Sequence, residues 1–89
     1  MSLITSTFVI AVHDEILKET GVGREGCHKD KLEGVLSRID QQMYYNNVED
    51  LFEIAAWYGI AIAKVHAFVD GNKSTSLATM LTFLQIQGV

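Results

Sequence analysis

The sequence predicts an all-α domain: four helices, one of them a buried central helix that the other three surround. Three observations point there. Proline is absent, so no helix interior is interrupted by a missing N–H. Apolar residues recur at helical spacing in four separate stretches, and β-branched runs are few. Between those stretches lie glycine and asparagine breaks of the kind that end helices.

Thr5 or Ser6 can cap a first helix reaching about Thr20, with Val9, Val12, Ile16 and Leu17 on its apolar side. Gly21 is a natural stop. The run Gly21-Val22-Gly23-Arg24-Glu25-Gly26 reads as a loop, because three glycines in six residues do not hold a helix. A second helix starts near Lys29 or Asp30. Leu32, Val35, Leu36 and Ile39 give it an i, i+3, i+4, i+7 stripe, and it continues, straight or kinked, through Tyr44 and Tyr45. Asn46 and Asn47 break it.

The third helix is predicted from about Val48 to His66, with Glu49 and Asp50 in its first turn, where negative charge suits the dipole. It is apolar on every side: Leu51, Ala55, Tyr58 and Ile62 on one, Phe52, Ala56 and Gly59 on another, Ile54, Trp57 and Ala61 on a third. Such a helix is expected to be enclosed by the others, and its small residues let neighbours approach closely. A fourth helix runs from Asn72 or Lys73 to about Gln87, with Leu77, Met80, Leu81 and Leu84 as its inward stripe.

The chain has 89 residues, which supports a single domain, 1–89. Seven basic residues against eleven acidic ones, a net charge of −4, leave no basic stripe for nucleic acid. The one cysteine, Cys27, cannot form an internal disulfide, which fits a reducing compartment. No signal peptide pattern opens the chain, and the longest uncharged apolar run, residues 54–63, is too short to span a bilayer. A cytoplasmic protein that touches neither membrane nor nucleic acid is the expectation.

The chemistry concentrates in His66-Ala67-Phe68-Val69-Asp70-Gly71-Asn72-Lys73-Ser74, between the third and fourth helices. Asp70-Gly71 suits a tight turn, and Asn72-Lys73 opens a helix. The first N–H groups of a helix lack internal partners and carry the positive end of its dipole. A glycine just ahead of them lets an anion reach the backbone, so Gly71, Asn72, Lys73 and Ser74 form a candidate phosphate site. Asp70 can hold Mg²⁺. His66 has the side chain suited to proton abstraction near neutral pH. An anion cradle, a metal ligand and a base together serve phosphoryl or nucleotidyl transfer to a hydroxyl.

Each residue has a plainer reading. A lone histidine is more often structural, a lone aspartate before glycine more often a turn former, and a lysine in a first helical turn more often solvated. Their combination favours the site. Phe68 is core on either reading, and Trp57, Tyr58, Met80 and Phe83 are read as core rather than as a cofactor box. Cys27-His28, with His13 and Asp30, lacks zinc-site spacing and a second cysteine. Tyr44 and Tyr45 suit a partner-facing rim or a place beneath the loop.

Residues 66–73 resemble the signature of the Fic/Doc family, H-x-F-x-D-G-N-K-R, in the form typical of its Doc branch, the toxins of Phd–Doc toxin–antitoxin modules. Val12-His13-Asp14, Leu51-Phe52-Glu53, Leu81-Thr82-Phe83-Leu84 and Gly88-Val89 extend the resemblance over most of the chain. It implies a Fic-type helical domain around the central helix. It implies His66 as the catalytic base, Phe68 as the anchor of the loop, Asp70 as the metal-associated acid, and Gly71, Asn72 and Lys73 as the anion-binding turn. ATP and Mg²⁺ are the implied cofactors. Fic proteins generally transfer AMP to a protein hydroxyl. The Doc branch phosphorylates the translation factor EF-Tu, arresting translation, and is neutralised by a Phd-like antitoxin that folds into a groove on the toxin.

Two departures stand out. The closing arginine of the motif is Ser74 here, which is shorter, uncharged and unable to clamp phosphate with two hydrogen bonds. Ser74-Thr75-Ser76 offer hydroxyls instead, and Arg24 or Arg38 is the candidate for a replacement cation. The chain also stops at Val89, where Doc-like proteins usually continue. A C-terminally short form is expected to leave apolar surface uncovered and to favour homo-oligomers.

Overall fold

The computed structural model describes every residue except Met1, Ser2, Val22, Arg24 and Glu25. The predicted loop therefore keeps Gly21, Gly23 and Gly26 within the described residues, while Arg24, the candidate replacement cation, lies outside them. Four helices account for the fold: α1 (Ser6–Thr20), α2 (Lys29–Asn46), α3 (Leu51–Val65) and α4 (Asn72–Ile86). Among the described residues there is no strand, only one isolated antiparallel bridge between Cys27 and Phe68.

Helix ends follow local chemistry. The Thr5 hydroxyl accepts from the Phe8 N–H at 3.1 Å, which starts α1, and Gly21 closes it in the left-handed region with its N–H on the Leu17 carbonyl. Helix α2 runs unbroken to Asn46, and Asn47 ends it at φ 53°. Helix α3 starts three residues later than the sequence suggests. Asp50 is its cap rather than part of its first turn, with Oδ1 accepting from the N–H of Phe52 at 2.9 Å and of Glu53 at 3.4 Å. A carboxylate that satisfies two orphan N–H groups outside the helix is worth more than one lying along its first turn. At the other end α3 stops at Val65, and His66 is its left-handed cap, not its last residue.

The core is built by Val9 of α1, Leu32, Leu36 and Ile39 of α2, Ile54, Ala55, Tyr58 and Ile62 of α3, Phe83 of α4, and Ala67 and Phe68 of the turn. Tyr58 and Phe83 meet with ring centroids 5.5 Å apart. Helix α3 packs on both α2 and α4, so it is central as expected. It is not enclosed, however: Phe52 and Ile60 are each more than half exposed.

Helix α4 departs most from expectation. Leu77 and Leu81 are more than half exposed, and Met80 and Leu84 only partly buried. The inward residues are Thr75, Ser76, Thr79 and Phe83. The small side chains of Thr75, Ser76 and Thr79 let α4 approach α1 and α3 closely, and leucines at those positions would not fit so near a backbone. In α1, likewise, the deepest residues are Ser6, Val9 and His13, while Val12, Ile16 and Leu17 are half-buried.

Candidate functional site

The turn 66–74 is held from below by three separate parts of the chain. The first is its own helix. The Asn72 side chain reaches back over the turn: its Oδ1 accepts from the Phe68 N–H at 3.1 Å and its Nδ2 donates to the Phe68 carbonyl at 2.9 Å. Phe68 is buried, as expected of a core residue. The Asn72 amide is thus engaged with the loop, and what α4 offers an anion at this position is backbone N–H.

The second support is the glycine loop. The Val69 N–H donates to the Gly26 carbonyl at 3.3 Å, and the His28 N–H donates to the Ala67 carbonyl at 2.6 Å. These bonds flank the Cys27–Phe68 bridge and stitch the turn to the start of α2. Gly26 sits at φ 137°, and a Cβ there would lie 2.8 Å from the Val69 Cγ2. Only glycine permits that approach. Burial pushes the Cys27 thiol up, Asp14 adds to this, and Lys29 opposes it. Cys27 is accordingly a structural member of the bridge rather than an activated thiolate.

The third support is α1. His13 is 1 % exposed. Its ring stacks on Phe68 with centroids 3.9 Å apart and planes 10° from parallel. Its Nε2 lies 2.8 Å from the Asp70 carbonyl oxygen, and its Nδ1 lies 3.2 Å from Oδ1 of the exposed Asp14. The sequence placed His13 in a Doc-like stretch but assigned it no role here. The available signal was its place one helical repeat on from Ser6 and Val9, which makes it the inward residue of α1.

On this platform His66 is exposed in the left-handed region at φ 49°, Asp70 and Gly71 are half-buried, and Lys73 and Ser74 are exposed. Gly71 is the α4 N-cap at φ 80° and supplies no capping side chain, and the first N–H groups of a helix have no partner within it. Of the three neighbouring hydroxyls, only Ser74 is exposed. Thr75 is fully buried, and Ser76 is buried and donates to the Lys73 carbonyl at 2.7 Å. Arg38 lines a groove of about 560 Å³ between α2 and α3, with Trp57, Ile60 and Lys64, and no residue of the turn forms its walls. Tyr44 and Tyr45 are both exposed, edge to face, at the far end of α2.

Among the described residues no group of three or more His, Cys, Asp or Glu side chains gathers round a common point. The turn itself carries one carboxylate, that of Asp70, and Mg²⁺ is a cation that keeps several waters and takes as few as one protein carboxylate. Asp70 would be its protein ligand.

An all-α domain whose signature turn joins a central helix to the uncapped start of the next is the architecture expected of Fic-type proteins. The chain belongs to the Fic/DOC family, whose model matches residues 3–84. It is also similar to the "Protein kinase doc" of Escherichia phage P1, with 34% identity over 89 residues, all of this chain and 71% of that protein. No helix among the described residues is long and apolar enough to cross a membrane.

Proposed function

We propose that this chain is a Doc-like toxin that transfers the γ-phosphoryl group of ATP to a hydroxyl of a translation factor, EF-Tu, in the cytoplasm, and that a Phd-like antitoxin restrains it. One observation carries the reading. Helix α4 opens on Gly71 with no side-chain cap, in the same turn as the exposed His66 and Lys73. The relative named a protein kinase supports the phosphoryl rather than the nucleotidyl version.

The residues divide the work as follows. The α4 N-terminus and Lys73 bind phosphate oxygens, and the dipole and the ammonium offset their charge. Asp70 would hold Mg²⁺, which would supply positive charge to offset that developing on the transferred phosphoryl group. His66 takes the proton of the attacking hydroxyl. Its position at the end of α3, outside the helical ladder, leaves its ring accessible to a macromolecular substrate. Exposed Phe52, Ile60, Leu77 and Leu81 are available for a partner helix or a second copy.

Ser74 supports a second reading, a catalytically silent module that retains antitoxin binding. Removing one transition-state donor lowers the rate by about 10²–10³. The test is label transfer to purified EF-Tu from ATP labelled at the γ or the α phosphate, with the unmodified chain and with Ser74→Arg. Label from γ-ATP in both supports the kinase. Label with Ser74→Arg alone supports the silent module. Label from α-ATP supports an AMP transferase, and no transfer from either chain overturns the enzymatic reading.

A further inference from the structure

We infer that His13 is a positioning residue of the signature turn: by holding the Asp70 carbonyl it aims the next N–H, that of Gly71, at the anion. This deepens the phosphate-transfer reading above and rests on it.

A carbonyl oxygen only accepts hydrogen bonds, so the ring nitrogen 2.8 Å from it, Nε2, must carry a hydrogen. That bond fixes the direction of the Asp70 carbonyl toward α1. The Asp70–Gly71 peptide is trans, and in a planar trans peptide the C=O and N–H point in opposite directions. With the oxygen turned inward to His13, the Gly71 N–H faces away from α1. It thereby joins the N–H groups of α4 that follow it.

The stack on Phe68 fixes the other coordinate. Two parallel rings 3.9 Å apart allow little tilt of the imidazole, so Nε2 cannot follow the peptide if it flips. Gly71 follows Asp70 directly, at φ 80° and within van der Waals reach of the His13 ring, a backbone conformation that L side chains rarely adopt. A histidine kept merely to fill space would need neither the stack nor the bond. The polar atom at the ring tip is what distinguishes it from phenylalanine.

The experiment compares the full chain with His13→Phe, which keeps the stack and loses the donor, and His13→Gln, which keeps a donor and loses the ring. Thermal unfolding, the ¹H–¹⁵N resonance of Gly71, and Mg·ATP titration followed at that resonance are read for each. In the unmodified chain the His13 Nε2–H proton is expected as a slowly exchanging resonance, a measurement that needs no variant. His13→Phe is expected to stay folded and to melt only about 4–8 °C lower, the scale of one lost hydrogen bond in a domain this size, yet to shift the Gly71 resonance and weaken Mg·ATP binding by about tenfold. His13→Gln is expected to recover part of both. An Nε2–H that exchanges freely overturns the inference. So does a Gly71 resonance in His13→Phe identical to that of the unmodified chain. A wild type that shows the slow Nε2–H proton but binds no Mg·ATP overturns the phosphate-transfer reading and leaves the His13–Asp70 link supported.

Discussion

Asn72 and Phe68 form a closed ring of two hydrogen bonds, the asparagine side chain giving one and taking one from the backbone of a residue four positions earlier. A carboxylate cannot do this, because it has no hydrogen to give the Phe68 carbonyl. Asn72→Asp is therefore expected to loosen the turn more than its near-identical shape suggests, and Asn72→Ala to leave both backbone groups unpaired. Each is expected to cost about 1–3 kcal/mol. Denaturant unfolding measures the cost, and faster amide exchange at Phe68 and Val69 than in the core of α3 locates it. Unchanged exchange at Phe68 would show that the ring is not formed in solution.

Gly71 adopts φ 80° against the His13 ring. Gly71→Ala introduces a Cβ in a left-handed conformation, expected to cost about 1–2 kcal/mol per residue. The same change at Gly34, which lies in α2 with open space around it, is expected to stabilise by about 0.5–1 kcal/mol. Opposite signs from the same substitution in urea titrations are the expected result.

Tyr58 is fully buried, and burial pushes its hydroxyl up from 10.0 to about 12, with Asp40 adding to the shift and the backbone of Ile4 and Leu3 opposing it. A raised folded-state value means that stability is complete below pH 10 and is lost as the unfolded chain, but not the folded one, releases its proton between about 10 and 12. The loss is at most roughly 2–3 kcal/mol. Tyr58→Phe cannot titrate, so the stability difference between the two proteins is expected to move in favour of the variant across that interval. A constant difference from pH 8 to pH 12 would exclude this origin.

The inverted helix α4 makes a third pair of substitutions informative. Thr79 is fully buried, and its hydroxyl finds no partner among the described residues. Thr79→Val removes an unsatisfied polar group at equal shape and is expected to be neutral or stabilising by about 1 kcal/mol. Leu77→Gln, on the exposed side, is expected to change stability by less than about 0.5 kcal/mol. If Leu77 faced the core, as spacing alone suggests, its loss would instead cost about 2–5 kcal/mol.

The four helices and their breaks were legible in the sequence because glycine, asparagine and apolar spacing act locally. Gly21 and Asn47 end helices as expected. The signature turn was legible for the same reason, since its residues are contiguous. What was not legible depends on distant parts of the chain. Spacing alone favoured Leu77 and Leu81 over Thr75 and Thr79, because hydropathy does not register how near α1 and α3 come to α4. Asp50 looked like a helical residue because a cap and a first-turn acid share the same composition. The role of His13 required α1 to be laid against a turn 57 residues away.

That separation bears on the order of assembly. Helices α3 and α4 adjoin in sequence and pack on each other, so they can pair after closing only the short turn between them. The bonds from His13 and from the glycine loop require closure of far longer stretches, whose entropy is recovered only once α1 and α2 have docked. The turn that bears the chemistry is thus expected to set last in folding and to open first in the native state. Substitutions at His13 or Gly26 should accordingly speed unfolding while leaving the folding rate nearly unchanged. Stopped-flow chevrons separate the two arms.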